Sequence, residues 1–569
     1  MKNSILALSI LLLASSLQMQ AQERTIERTY VSTDKDSYVA GDNIWCSAFC
    51  MNATTGKLSQ LSSTLYVELV SAQGVAETMK IALVDGRGAG TMALSSTLPT
   101  GNYRMVAYTR QNTAEEDYDF GAFSKVISVY NTYTKERVKD GVEVVTSDEY
   151  AALLSAAEQP AAGNGAIGIE VPKHASTSSQ AVIKLSSSIS DAASLSISVR
   201  RHEELVGSNG LRMPEFISAI GKSGNVRFSG NAVPDYEGEV IRAHVEGNVD
   251  PVMLAGKFAF ISVPGGDADV YSSDIDEEGN MTFYTSNIYG DRDLVCEVAE
   301  LGDGQNCRIR LEQPFVELPA MQVPKLPVCE SVSRTLTDKG VSMQIEKRFM
   351  SDTLFEMLPV RGNMLLGGPC ASYILDDYTR FPLMEEDIVE FISHMRARKT
   401  SDGRRDLQIR LEDQMHEMRF VRDHSLMMVD GVPVFDHEKI YRYDPLLVQR
   451  IDIYTDVYYI GKKQYGGIAN FVTYKHDMPG MTFGENVRIV DFKGVSWPLA
   501  YTCRGEVLSG DYPDYRNTIY WHPSVVVPAG GSIEIPVVTP FYGATFDVVV
   551  EGVSSNGAPI YETSSFVVE

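Results

Sequence analysis

The sequence predicts a mainly β protein: several β-sandwiches in tandem, with one small α+β module towards the C-terminal end. Three observations carry this. Apolar and polar residues alternate with period two in segments such as "SLSISVRR" (Leu195, Ile197, Val199) and "NYRMVAYT" (Tyr103, Met105, Ala107), as in a strand with one face in a core. Turn signals recur along the chain, at 40–42 ("AGD"), 85–90 ("DGRGAG"), 276–280 ("DEEGN") and 302–304 ("GDG"), which is the rhythm of sandwiches. Helical periodicity is confined to 149–158 and 384–398. The second stretch puts Ile388, Phe391, Ile392 and Met395 on one face and acids in its first turn.

Taken in order, residues 1–22 read as a secretory signal peptide. Lys2 opens a short apolar run at 5–13, and Ala21 sits near a cleavage point. A membrane anchor is the alternative, but the run falls short of the ~18–20 residues a span needs. No cysteine follows it for lipid attachment, and no later segment is apolar enough to span a bilayer as a helix. The mature chain is expected to be exported, in the periplasm or associated with the outer membrane, with the cell surface as the other possibility. The closing "YETSSFVVE" carries no recognised sorting domain.

Length and composition bound the rest. A chain of 569 residues implies several domains, and 44% apolar residues suffice for ordinary cores. A net charge of −25 excludes nucleic acid as a partner and disfavours unassisted adhesion to anionic lipid. Composition shifts divide the chain into sandwiches at 23–132, 133–232 and 233–318, a proline-bearing linker at 319–345 ("LPAMQVPKLP"), an α+β domain at 346–480 and a C-terminal sandwich at 481–569. Trp521 and Tyr520 in the last of these are read as packing residues in preference to a sugar platform.

Seven cysteines are few for an exported chain of this size, so its domains rest on cores and not on a disulfide framework. Cys46 and Cys50 share a strand face about 13 Å apart, too far to bridge. Cys296 and Cys307 flank a hairpin-like turn, "ELGDGQN", and can pair across it; free thiols are the alternative. The acidic loop "DIDEEGN" (274–280) lacks the terminal glutamate of a calcium loop, since position 285 is Thr, and reads as a solvated turn.

Two family resemblances follow. Residues 29–110 hold "TYVSTDKDSYVAGDNIWCSAF", then a Gly-rich hairpin and the entry "LPTGNYRMVAYT". This resembles the macroglobulin-type, immunoglobulin-like β-sandwich of alpha-2-macroglobulins. The resemblance implies that Tyr38 and Trp45 fill the space between the sheets and that Gly41 and Gly101 permit tight turns. The Cys-Gly-Glu-Gln thioester of the protease-trapping forms is absent; "TCRGEV" at 502–507 has the cysteine without the spacing, so trapping is not implied.

Residues 370–480 hold "LMMVDGVPVFD", "YDPLLVQRIDIYTD" and "QYGGIANFVTYK" in that order. This is similar to the plug domain of TonB-dependent receptors, especially the starch-utilisation transporters of Bacteroidetes. Asp430, Gly431, Ile451, Ile453, Tyr465, Gly466, Gly467, Ile468 and Thr473 match; "TDVYYIGKKQYG" departs from the usual run before the Tyr-Gly turn. The residues after 480 are too few for a barrel of many strands, each ~9–11 residues long. The plug-like fold is therefore expected as a module without a barrel. The whole order resembles a group of exported Bacteroidetes proteins.

Motifs of catalysis are missing. "HEELV" at 202 and "HEMRF" at 416 both fail the His-Glu-x-x-His spacing, and there is no Gly-x-Ser-x-Gly elbow, P-loop or dinucleotide fingerprint. His394 reads as a surface residue on the second helix. Adjacent acids such as Asp376–Asp377 and Glu385–Glu386 point apart. The expectation is a non-enzymatic envelope protein acting by protein–protein contact, without cofactor or metal. Its expected partners are envelope proteins, an outer-membrane barrel of the transport or secretion machinery among them. Asp430, Gly431, Tyr465, Gly466 and Gly467 are the expected partner surface. The alternative is a glycan- or peptide-binding protein serving a neighbouring TonB-dependent transporter, suggested by "DVYYIGKKQY".

Overall fold

The computed structural model describes residues 25–116, 121–157, 163–206, 210–220, 226–228, 234–247, 254, 256–265, 269–286, 288–299, 307–318, 321–349, 355–360, 368–399, 403, 405–412, 418–420, 424–484, 486–501 and 514–569. The expected signal at 1–22 and "TCRGEV" at 502–507 lie outside them. The protein is mainly β, in sandwiches, as the alternation implies. It forms two compact units: one from residues up to 234, 319–356 and 501–569, the other from 235–318 and 357–500.

In the first unit, one sandwich packs the sheet of Glu27–Thr33, Asn43–Asn52 and Arg87–Ala93 on a five-stranded sheet. The latter runs Ser37–Val39, Phe123–Tyr130, Gly101–Tyr108, Thr64–Ser71 and Gly74–Ala82. Tyr38 is buried between the sheets as expected. Trp45 is not. Period-two alternation turns Ile44 and Cys46 into this core, so Trp45 faces out and meets Trp521, ring centroids 5.8 Å apart. Gly41 supplies a left-handed turn at φ 91°. Gly101 serves close packing instead: a Cβ there would lie 2.6 Å from Val138.

The second sandwich corrects the expected domain division. Ala193–Arg201 lies between Thr518–Val527 and Ala544–Ser554, and Gln180–Ser187 lies between Ile167–Glu170 and Ser532–Val538. The segments assigned to separate sandwiches at 133–232 and 481–569 thus build one, around Ile183, Leu195, Ile197, Val548, Val550 and Phe566. Trp521 and Tyr520 are buried, as read. The helix expected at 149–158 is Ser147–Ala157.

From Leu326 on, the expected linker at 319–345 is built into secondary structure. Leu326–Val328 pairs in parallel with Val142–Val144, an edge ladder that tolerates Pro327, and a helix, Ser333–Phe349, follows. That helix buries Lys339, Gly340, Ser342 and Met343. Lys339 Nζ donates to Ser37 Oγ at 2.9 Å and pairs with Glu203.

The turn at residues 34–37 is a buried charge network. Tyr38 Oη, Trp45 N and Thr518 Oγ1 donate to the Asp34 carboxylate at 2.7, 3.1 and 3.1 Å. Ser198 Oγ and Arg200 donate to the Asp34 carbonyl at 2.8 and 2.9 Å. Burial disfavours the charge of Asp36, but Lys125 and Arg200 outweigh it and hold that carboxyl well below the usual range.

In the second unit, Val240–Gly247, Asn280–Tyr284 and Cys307–Leu311 face a sheet of Asp269–Asp274, Phe258–Val263, Asp291–Val298 and Val487–Lys493. Residues 487–493, expected in the C-terminal sandwich, complete this one. Asp276 accepts from the Glu278 and Asn280 amides at 3.1 and 2.7 Å, a solvated Asx turn. Cys296 and Cys307 correct a second expectation. Cys296 lies in Asp291–Val298 and Cys307 in Cys307–Leu311, strands of opposite sheets of the core, and both are free thiols. Burial pushes the Cys296 thiol up to about 12.

The α+β module has a sheet in the order Ala371–Ile374, Val448–Ile460, Lys463–Thr473, Leu426–Val429, Val432–Pro433. The three quoted motifs therefore share one sheet, and Leu426–Val429 runs parallel to Lys463–Thr473. A smaller sheet, Met395–Lys399 with Arg405–Glu412 and Met418–Phe420, lies beside it. The helix expected at 384–398 spans only Met384–Glu390. Of its expected face, Ile388, Ile392 and Met395 are buried and Phe391 is half-buried, but residues 395–399 are taken into a ladder with the alternating strand 405–412.

One expectation tests the thiol assignment. Alkylation of the native protein without reductant should leave Cys296 and Cys307 unmodified. Denaturation without reductant should make both react, as read by peptide mass spectrometry. A linked 296–307 peptide would refute the free-thiol assignment.

Candidate functional site

The Asp-Gly pair at 430–431 makes the tight turn its sequence implies, with φ of 47° and 79°. Asp430 is 0% exposed. Its carboxylate accepts from Thr473 N at 2.7 Å, Thr473 Oγ1 at 2.6 Å and Met478 N at 2.8 Å, and Gly431 N donates to Asn470 Oδ1 at 3.0 Å. The turn thereby clamps the chain reversal after the strand Lys463–Thr473.

This overturns the expected partner surface, because all five of its residues are buried. Tyr465 packs among Phe260, Val270, Leu426 and Ile468. Gly466 donates its N–H to the His424 carbonyl at 2.9 Å and accepts from Ser425 Oγ at 2.6 Å. Gly467, at φ 83°, leaves no room for a Cβ, which would lie 2.8 Å from Ile409. The motif residues are there for turn chemistry and close sheet packing.

What the clamp presents is exposed. Tyr474, directly after Thr473, is 45% exposed, and Leu446 is 66% exposed. Arg380 ties them together. Its guanidinium donates to Asp376 at 2.5 Å, to Tyr474 Oη at 2.6 Å and to the Pro445 carbonyl at 3.0 Å. Tyr474 Oη also donates to Asp376. Ile374, Tyr378 and Leu383 are exposed on either side of Asp376, and Tyr378 stacks on Phe391 at 4.3 Å. A set of apolar side chains thus stands in water on a hydrogen-bonded frame.

Across the Pro445–Leu447 turn lies a cleft of about 360 Å³. Asp436, Glu438, Lys439, Arg442, Tyr443, Asp444 and Leu447 line it, with residues 480–482. Its wall depends on the clamp: Asp430 holds Met478 N, and Tyr443 Oη donates to the Pro479 carbonyl at 2.6 Å. Arg405 fixes Glu438 through two 3.0 Å bonds and also reaches Glu385 at 2.6 Å. Asp436 and Asp444 cap the helix His437–Tyr441 and the Pro445–Leu447 turn, accepting from Glu438 N and Leu446 N. Nearby, burial pushes the Glu297 carboxyl up to about 7 against a 3.2 Å bond from Asn486 and the attraction of Lys439.

The histidines do not converge. His437 is buried and accepts from Leu407 N at 3.0 Å through Nδ1; burial lowers its pKa. His394, expected at the surface of a helix, lies beyond the helix end, half-buried against Tyr373 Oη at 2.6 Å. Among the described residues no group of three His, Cys, Asp or Glu side chains is placed to hold a metal. The sequence reading missed Arg380, Asp376, Leu446 and Lys439. The Asp-Pro turn at 444–445 was the available signal, since a capped turn that ends in two leucines leaves one of them outside the core.

No protein-family model and no curated protein matches the chain. Solved structures similar to it include Salmonella alpha-2-macroglobulin reacted with methylamine (9% identity, TM-score 0.15, 95% of this chain and 23% of that one). Native Escherichia coli alpha-2-macroglobulin is another (8%, TM-score 0.24, 96% and 40%), and the Escherichia coli adhesin FdeC a third (11%, TM-score 0.14, 49% and 62%). The chain spans less than half the length of those macroglobulins. At these scores nothing further is drawn from them. The class defined by the fold is a mainly β protein of sandwiches with an α+β module.

Two expectations follow for the site. Asp430→Ala should destabilise the second unit by about 3 kcal/mol in chemical denaturation, because it leaves buried amides without an acceptor. A change under about 0.5 kcal/mol, the range of an ordinary surface substitution, would show that the clamp is not needed. Glu297 has a folded pKa raised from 4.5 to about 7. Its contribution to stability is full below about 4.5 and lost as pH rises through about 7. The second unit's Tm should therefore drop between pH 5 and 8, and Glu297→Gln should flatten that drop.

Proposed function

We propose that this is a non-enzymatic cell-envelope protein that acts by binding other proteins. The observation that carries the reading is the exposed face at Leu446 and Tyr474. Apolar and aromatic side chains held on a rigid frame lose little entropy on binding and are the usual anchors of a contact. The macroglobulin-type and plug-like motifs, and the export signal at 1–22, support placement in the envelope. They favour an outer-membrane barrel of the transport or secretion machinery as partner, engaged in trans by the plug-like module.

A second reading is a glycan- or peptide-binding protein serving a neighbouring TonB-dependent transporter. Tyr459, exposed in the "DVYYIGKKQY" hairpin, favours it as a stacking platform. A glycan array that is silent for the intact protein would exclude the glycan form.

The first reading is tested by cross-linked pull-down from the protein's own envelope. Leu446→Asp together with Tyr474→Ser should remove the specific partner recovered by the unaltered protein, while circular dichroism stays the same. Recovery of an unchanged partner set by the double variant would reject this face.

A further inference from the structure

The cleft on the other side of the Pro445–Leu447 turn has its own charge pattern. Three arginines of this module are committed to acids: Arg380 to Asp376, Arg405 to Glu385 and Glu438, Arg450 to Asp452. Among the described residues, the side chains of Lys439 and Arg442, both lining the cleft, make no ion pair or hydrogen bond. In a chain of net charge −25, two uncommitted cations in one concavity are conspicuous.

The carboxylates around them already have donors. Glu438 holds Arg405, and Asp436 and Asp444 each accept a backbone N–H. Glu297, the acid whose charge Lys439 feels, is held partly protonated near neutral pH by its burial. An N–H donor leaves a carboxylate its charge, so Lys439 and Arg442 stand beside two anionic groups, Asp436 and Asp444, and the cleft offers positive and negative charge side by side. Tyr443, Leu447 and Met481 add apolar wall, and the volume sits at the small end of the range for ligand sites.

We propose that this cleft binds a short peptide segment through a carboxylate, with Lys439 and Arg442 as its charge partners. The carboxylate comes from an acidic side chain or from a chain end. Asp436 and Asp444 at the rim disfavour a compact dianion such as phosphate and suit a peptide in which a cationic residue adjoins the acid. The inference does not rest on the Leu446 face, which lies outside the cleft, and it fails separately.

The test uses the full chain and fluorescently labelled hexapeptides, read by anisotropy. One carries Glu with an adjacent Lys, one has Gln in place of Glu, and each is made with a free and an amidated C-terminus. The Glu peptide should bind at least about tenfold tighter than its amidated Gln counterpart, with affinity falling as salt rises. Lys439→Gln with Arg442→Gln should remove that preference. Loss of binding on amidation alone would assign a chain end; indifference to amidation would assign a side chain. Equal binding of Glu and amidated Gln peptides, no binding of either, persistence of the preference in the Gln double variant, or equal competition by inorganic phosphate would each overturn the proposal.

Discussion

The first unit depends on one buried turn. Residues 34–37 belong to the first sandwich, yet their polar atoms are satisfied from three distant parts of the chain. Ser198 and Arg200 come from one half of the shared sandwich, Thr518 from the other half, and Lys339 from the helix Ser333–Phe349. Charges this deep are tolerated only when every partner is in place, and removal of any one strands the others. The turn thus makes the three segments interdependent. Other contacts reinforce the same junction, with Trp45 against Trp521 and the Arg87 guanidinium lying over Phe49 while it donates to Ser194.

The second unit uses a buried carboxylate in the same way and on a smaller scale. Asp430 closes a chain reversal, and through Met478 and Pro479 it sets the wall of a cleft it does not line. The residues that carry the motif and the residues that can meet a partner are therefore different. The former are buried scaffolding, and the latter are the side chains that the scaffold pushes outward.

That difference explains what could be read from the sequence. Period-two alternation marked the strands correctly at 195–199 and 103–107, and turn chemistry located the Asp-Gly and Asx turns. Alternation says which face of a strand is buried and nothing about its neighbour. The pairing of 193–201 with strands beyond 518, and of 291–298 with 487–493, was therefore invisible, and both segments were assigned to the wrong neighbours. The helix at 384–398 was cut short by a ladder partner that local propensity does not see. Cys296 and Cys307 looked bridgeable because a Gly-rich connection reads the same whether it turns within a sheet or crosses between two. At the site, a glycine-rich motif signalled constraint, which was taken for exposure.

The strand Ala193–Arg201 is central in its sheet, but both of its neighbours lie about 300 residues further along the chain. At roughly 10 residues per second of synthesis, it exists for ~30 s with two open edges. Open edges of apolar strands invite pairing with other chains. During biogenesis this strand must be shielded, by a chaperone or by delayed collapse, until residues 518–554 arrive. A chain that stalls before then carries its own mark of incompleteness, an unpaired edge that quality-control proteases can read.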